Sequence, residues 1–498
     1  MERLKIFLLT HNKLLAVLIF ALALRIVGLT HGFPFIFHPD EPSVIRSALG
    51  IRFDPNPDHF DWPHLHFYLN FLLYGIFVKF RGLLQLLGLQ EIFEYIFPYM
   101  WRDPLVFYYI SRLFNAVLGA LTIVPLYLAG STLFNKRVGL YTAIAFAVIP
   151  FHVWVSQYAL IDVPMVFWVS WSLYFCARIY TAKQLKDYVL AGLFIGFAAS
   201  TKYNGGLLAL MVPFIHFLSY KHLHEFNLYK TFKSFVLSGL GAVLGFFIGT
   251  PYAFIDYETF LISDSPKGAL WQFRNVGSVT FLEHLGQFVA TFTTTIIDDL
   301  GYTFLIIFVL CAFYIIYKLL TRKNTVYARS LIFVLIMGMF MLYYVSGFSR
   351  IRSHYFMPAY PFIALSVGYV TYLLLQFKHR FLSIFVITII YFIPFVLSAY
   401  NSYQLRVPET RLLFYNWLEQ GHIQKDDLIV YDTSNMSQIF KKFTFDHLKK
   451  KSSFNKFPSG TGYLITTDFE DDLSVYSPVV QFLPQYIPGP AIKVYRLE

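Results

Sequence analysis

HLHFYLNFLLYGIFVKF, residues 64–80, decides how the rest of the chain is threaded. The stretch is apolar and nearly long enough to cross roughly 30 Å of hydrocarbon, yet it carries two histidines, an asparagine and a lysine. Suppose it spans, with the N-terminal Arg3, Lys5 and Lys13 inside. Then Lys136/Arg137, Lys183/Lys186, Lys221/Lys230, Arg322/Lys323 and Lys378/Arg380 all fall outside. That reverses the rule that cytoplasmic loops carry the excess of Lys and Arg. If it lies instead in the interface, as an amphipathic helix within a long first outer loop, each of those loops becomes cytoplasmic. The charge pattern therefore predicts the interfacial placement.

Working outward, further apolar runs centre on residues 14–30, 105–134, 138–155, 163–181, 188–201, 205–220, 232–251, 297–320, 328–347, 356–377 and 381–400. They give about eleven spans, with the N-terminus inside and the C-terminus outside. The outer segments are then 31–104, the turns near 156–162 and 202–205, 252–296, 348–355, and everything after Tyr400. The first run resembles a signal peptide in length but has no small-residue cleavage site before a soluble domain, so it is read as a helix.

Composition agrees: 57% of the 498 residues are hydrophobic and only 14% charged, against about a quarter in soluble proteins. The net charge of +11 sits in short clusters between apolar runs, which reads as topology and argues against nucleic-acid binding. Cys176 and Cys311 lie inside apolar runs and form no disulfide framework. From Asn401 onward charges become dense, as in QKDD and FEDD, and strand-like stretches such as DLIVYD and GYLITTD follow. The expected fold is an all-α polytopic membrane domain over residues 1–400 with a small α/β outer domain over 401–498.

Sorted by side, the unusual polar residues collect on the outer face. Asp40 and Glu41 stand between two prolines in FHPDEP, just after the first span. Such a pair can serve as a general base and hydrogen-bond acceptor or hold a divalent ion, although the spacing alone favours a solvated, helix-capping acidic turn. Asp162, in LIDVPM, is either an N-cap or a carboxylate facing a cavity. Lys202 sits in STKYNGG, where two glycines permit a tight or re-entrant turn, and its ammonium either snorkels or meets a phosphate. Arg350, Arg352 and His354 run against the positive-inside trend, which phosphate recognition or lipid headgroups would explain. Arg25 and Arg112, with Asn115 one turn beyond, lie in the outer halves of their spans and need partners. His38, His59, His64 and His66, with Asp58 and Asp61, match no metal-ligand spacing, so no metal site is expected from them.

FHPDEPSVIRSAL and NPDHFDWPHLHFYL resemble the opening of polyprenyl-phosphate-sugar-dependent glycosyltransferases of the GT-C type, which include protein mannosyltransferases and aminoarabinose transferases. The resemblance continues through ISRLFNAVLGALTIVPLYLAGSTLFNKRVGLYTAIAFAVIPFHVWVSQYALIDVPM, STKYNGGLL and RSHYFMPAYPFIAL, over most of residues 15–375. It implies that Asp40 is the catalytic base, that Glu41 assists it, and that Asp162 completes the acidic side of the cavity. Lys202, Arg350 and Arg112 would meet the lipid phosphate, with Arg352 and His354 standing where the family shows a simpler Arg-Tyr pairing. The implied reaction moves a sugar from a polyprenyl-phosphate donor to an acceptor hydroxyl in one inverting displacement. It requires no cofactor, although a divalent metal near Asp40, Glu41 and Asp162 would be in keeping with some members. The acceptor is a lipid, a glycan or a protein, and the long central luminal domain of eukaryotic members is missing. Expected partners are the donor, the acceptor and membrane lipids, without nucleic acid. The expected location is a bacterial or archaeal plasma membrane with the site facing outside. A transporter or flippase for a lipid-linked substrate is the alternative, for which no internal repeat is found.

Overall fold

Asn135 shows how the chain starts a helix. Its side-chain oxygen accepts from the backbone N–H groups of Arg137 and Val138 at 3.0 and 3.1 Å, and helix Lys136–Ala147 begins at the next residue. Such a cap satisfies donors that the first turn leaves open. Helices dominate the computed structural model, which describes residues 2–220, 226–321, 327–431, 436–450, 462–467, 477–484 and 488–497. Lys221, Arg322, Lys323 and the FEDD run lie outside the described residues.

Among the described residues, six helices are long and apolar enough to cross a membrane: Leu65–Leu86, Leu105–Leu133, Leu228–Gly249, Ala328–Ser346, Ser353–Leu374 and Arg380–Gln404. Tyr203–Leu218 and Tyr302–Lys318 are apolar but shorter. The chain is thus a mainly helical, multi-pass membrane protein. It packs as two compact units, one of Met1–Ile26 with Ser43–Ala399 and one of Val27–Pro42 with Tyr400–Glu498.

In the first unit, helices Leu185–Ala199 and Leu228–Gly249 approach backbone to backbone. A Cβ on Gly192 would stand 1.9 Å from the Ser238 carbonyl oxygen, so only glycine permits the crossing. Residues 65–80 fall in helix Leu65–Leu86, with His64 at its N-cap, and the helix length of about 33 Å matches the hydrocarbon thickness. The polar residues that favoured an interfacial placement do not form a wet stripe: His64, His66 and Asn70 are fully buried. Asn70 accepts from the Ser111 hydroxyl at 2.6 Å and donates to the His66 carbonyl at 2.8 Å. The Tyr74 hydroxyl meets Ser111 Oγ at 2.5 Å, and the His66 ring lies flat on Phe114 with centroids 5.8 Å apart. Helix Leu105–Leu121 therefore meets Asn70 and Tyr74 through hydrogen bonds at Ser111 and His66 through ring stacking alone, inside the bundle. By length and composition alone the segment is a candidate span.

The second unit carries a five-stranded sheet: β1 Leu428–Tyr431, β2 His447–Lys450, β3 Gly462–Thr467, β4 Val480–Phe482 and β5 Ile492–Leu497, in the order β2-β1-β3-β5-β4. β1 runs parallel to β2 and β3, while β3–β5 and β5–β4 are antiparallel. The strand-like stretches DLIVYD and GYLITTD supply β1 and β3. Helix Thr410–Glu419 buries Phe414 and Leu418 in one core with Ile429, Ile465, Ile492 and Val494. Phe35 belongs to the same core. Gln438 brackets its neighbour, accepting from the Ile36 N–H at 3.3 Å and donating to the Ile36 carbonyl at 2.7 Å. The segment leading to Asp40 is therefore built into the second unit, where the sequence division had placed it in the first outer loop.

Candidate active site

The site in the helical unit is assembled from helix ends. The Asn115 side-chain amide donates to the carbonyls of Tyr158 and Leu160 at 2.7 and 2.6 Å, fixing the turn ahead of Asp162. Asp162 is the first residue of helix Asp162–Ala182, with Pro164 just inside, a place where the helix macrodipole favours a carboxylate. Its Oδ1 accepts from Lys202 Nζ at 2.5 Å, with the two side chains 6% and 15% exposed. Lys202 opens the 3-10 helix Tyr203–Leu210, and its carbonyl accepts from the Gly205 N–H at 2.9 Å. A Cβ on Gly205 would lie 2.9 Å from the Ala198 carbonyl carbon, so the turn closes on the preceding helix only with glycine. The Tyr355 ring centroid is 4.9 Å from the same Nζ, within cation–π range. Three segments singled out separately in the sequence, IDVP, TKYNGG and RSHY, thus meet at one point.

Lys202 and Tyr355 form part of the wall of a cavity of about 910 Å³. Asp61, Asn204, Gln272 and Arg274 add polar groups. Phe340, Tyr343, Tyr344 and Phe348 add aromatic surface, and His284 stacks on Tyr343 with centroids 4.1 Å apart. Sequence reasoning missed Arg274 and the aromatic wall. ALWQFRNV, residues 269–276, has no motif that marks its arginine, which becomes visible only when helix Ala269–Val276 borders the cavity.

The remaining candidates are placed as follows. Arg350 and Arg352 are exposed, and neither borders the cavity. His354 is half-buried and packs edge-on against Tyr355 at 4.6 Å. Arg112 is buried in helix Leu105–Leu121 and is not among the residues that line the cavity. Asp40 and Glu41 belong to the second unit. There the Asp40 N–H donates to His38 Nδ1 at 3.2 Å, and Glu41 is the buried first residue of helix Glu41–Gly50. Among the described residues no group of three or more His, Cys, Asp or Glu side chains is arranged to hold a metal ion.

Comparison with known proteins adds to this geometry. Residues 110–251 match the family model described as dolichyl-phosphate-mannose-protein mannosyltransferase. Dolichyl-phosphate-mannose–protein mannosyltransferase 1 of Saccharomyces cerevisiae is 31% identical over 154 residues, which is 29% of this chain and 18% of the yeast protein. The oligosaccharyltransferase of Archaeoglobus fulgidus, solved tethered with an acceptor peptide, superposes with a TM-score of 0.51 at 14% identity, over 91% of this chain and 61% of that one. ArnT from Cupriavidus metallidurans, solved bound to undecaprenyl phosphate, gives 0.50 at 13% identity, over 97% of this chain and 98% of that one. At such identities the structural likeness is one of fold. In the family model matched by residues 110–251, and in fold along nearly the whole chain, this protein resembles the GT-C glycosyltransferases.

Proposed function

We propose that this chain moves a sugar from a polyprenyl-phosphate donor to an acceptor hydroxyl, in a single displacement with inversion, on the extracytoplasmic face of a bacterial or archaeal plasma membrane. The observation that carries the reading is the Lys202–Asp162 pair at the wall of a cavity with an aromatic side. An ammonium has three donors. One is committed to Asp162, which holds the cation in place, and the others are available to phosphate oxygens. Arg274, donating only weakly to the Ser263 carbonyl at 3.5 Å, supplies a second cation on the same wall. The aromatic side suits the isoprenoid units next to the phosphate, since flat apolar rings bury hydrocarbon without leaving polar groups unpaired.

In the proposed step, the acceptor oxygen forms a bond to the anomeric carbon. The bond from that carbon to the phosphate oxygen breaks, and its electron pair departs on polyprenyl phosphate, whose charge Lys202 and Arg274 stabilise. The acceptor proton goes to a general base, a role that the family resemblance in FHPDEP assigns to Asp40, with Glu41 beside it in sequence. The sidedness rests on the basic loops, which follow the positive-inside pattern if helix Leu65–Leu86 stays on the outer face.

The test is donor turnover. Purified protein in lipid is incubated with polyprenyl phosphates carrying different sugars, with hydroxyl compounds and water as acceptors, and release of polyprenyl phosphate is followed. Release by the wild type and its loss in Asp40→Asn, with donor binding retained, is the expected outcome. Equal release by the variant would remove Asp40 from the role of base. Tight donor binding without release by either protein would turn the reading toward transport of the same lipid.

A further inference from the structure

Ser47, His59 and Asp61 form a hydrogen-bonded chain that the proposed reaction leaves unused. The Ser47 hydroxyl lies 2.8 Å from His59 Nε2, and His59 Nδ1 lies 2.6 Å from Asp61 Oδ1. A carboxylate oxygen accepts, so Nδ1 carries the hydrogen, and in the neutral ring Nε2 accepts from Ser47. This is the connectivity of a serine nucleophile, its base and the base's orienting carboxylate, but its position is reversed. Asp61 is the member that borders the cavity, and Ser47 and His59 are not part of its lining. A serine nucleophile needs its hydroxyl at the substrate; here the carboxylate is there instead.

The backbone around the chain is held at several points. The His59 carbonyl accepts from His64 Nε2 at 2.8 Å, and the Phe60 carbonyl accepts from the Tyr203 hydroxyl at 2.7 Å. The Phe60 N–H donates to the Lys267 carbonyl at 2.5 Å. Upstream, Asn56 donates to Asp256 at 3.1 Å and Lys267 to Asp58 at 2.8 Å. Burial alone would raise the Asp256 carboxyl, but hydrogen bonds from Thr259 and Asn56 hold it below the usual carboxylate range, keeping it an acceptor. Asp61 is therefore presented on a fixed loop with one oxygen tied to His59. Its second oxygen has no hydrogen-bond partner among the described residues.

We propose that Asp61 is the sugar-recognition carboxylate of this cavity, accepting a hydrogen bond from a hydroxyl of the donor's sugar, with His59 and Ser47 as positioning residues. The inference rests on the cavity being the donor site. Polar groups suited to a sugar, Asp61, Asn204 and Gln272, share the wall with the cations, and a fixed carboxylate oxygen discriminates between hydroxyls by geometry. A donor lacking the matching hydroxyl leaves the carboxylate unpaired and binds more weakly.

The full chain in lipid is titrated with sugar-free polyprenyl phosphate and with polyprenyl phosphates carrying mannose, glucose or galactose. Wild type is compared with Asp61→Asn and His59→Ala. Asp61→Asn should weaken the best sugar-bearing lipid by about 10- to 100-fold and leave the sugar-free lipid unchanged, which also shows that the cavity is intact. His59→Ala should give a smaller loss confined to the same lipid. Equal losses for both lipids, no loss for either, or a wild type that never distinguishes a sugar-bearing lipid from the bare one would each overturn the role of Asp61. A wild type that binds none of these lipids would instead sink the donor-site reading, and this inference with it.

Discussion

Arg25 and Lys202 are both cations withdrawn from water in the helical unit, and their partners differ in kind. The Arg25 guanidinium is fully buried and donates to the carbonyls of Ala21 and Ala147 at 3.0 Å each and of Phe146 at 3.4 Å, with His152 Nδ1 at 3.1 Å. Phe146 and Ala147 end helix Lys136–Ala147, where backbone acceptors lack intrahelical donors and the macrodipole favours positive charge. The rigid fork of an arginine fits several fixed acceptors at once. Lys202 is tied to a single carboxylate oxygen and to the face of a ring, beside open volume. Both terminal amino groups of Arg25 are held by the fold, and its Nε is buried without a hydrogen-bond partner, whereas Lys202 keeps its uncommitted donors beside the cavity. A buried cation in a membrane protein is thus a functional sign when its free donors face a cavity, as those of Lys202 do, and not when they are shut inside the packing.

The largest effect should follow from Arg25→Met, which leaves the carbonyls of Ala21, Phe146 and Ala147 without their side-chain donor inside the bundle. A loss of about 3 kcal/mol or more is expected, read as a large drop in melting temperature and in folded yield, with lipid-phosphate affinity per folded molecule unchanged. Arg25→Lys should recover only part, because a point charge cannot reach the same set of acceptors. A variant that melts like the wild type would dissolve the contrast. At Lys202 the order of effects inverts. Lys202→Ala alone strands Asp162, so the cleaner variant is Lys202→Gln with Asp162→Asn, which keeps a neutral hydrogen-bonded pair. It should melt near the wild type yet bind polyprenyl phosphate about 10- to 100-fold more weakly in a direct titration. Wild-type affinity would make Lys202 a second Arg25.

The same contrast explains what the sequence reveals. Whatever depends on neighbours along the chain is legible: the apolar runs, the strands DLIVYD and GYLITTD, the start of a helix at Asp162, the turn closed by Gly205. Those features report local period, cap and backbone freedom. What depends on partners far along the chain is hidden. His66 and Asn70 read as wet because Ser111 and Phe114, which absorb them, are some forty residues away. Phe35 gives no hint that it will enter a core made by residues after Thr410. Arg274 looks ordinary until its helix borders the cavity. The family resemblance narrowed the candidates at the site, and it named Lys202 and Asp162 without showing that they touch.

The smallest effect should come from Arg350, and it sharpens the contrast from the other side. Arg350 is exposed and held by its backbone, whose N–H donates to the Val276 carbonyl at 3.3 Å, and its position does not border the cavity. An exposed cation is screened within about 8 Å at physiological salt, and such charges contribute little to a contact they do not touch. Arg350→Ala should therefore shift the affinity for sugar-free polyprenyl phosphate by less than about twofold at physiological salt, with a larger shift only as salt is lowered. A tenfold loss that persists at physiological salt would require the guanidinium to reach the phosphate directly. The loop after Ser349 would then have to move when lipid binds, and the reserve of positive charge would no longer reside on Lys202 and Arg274 alone.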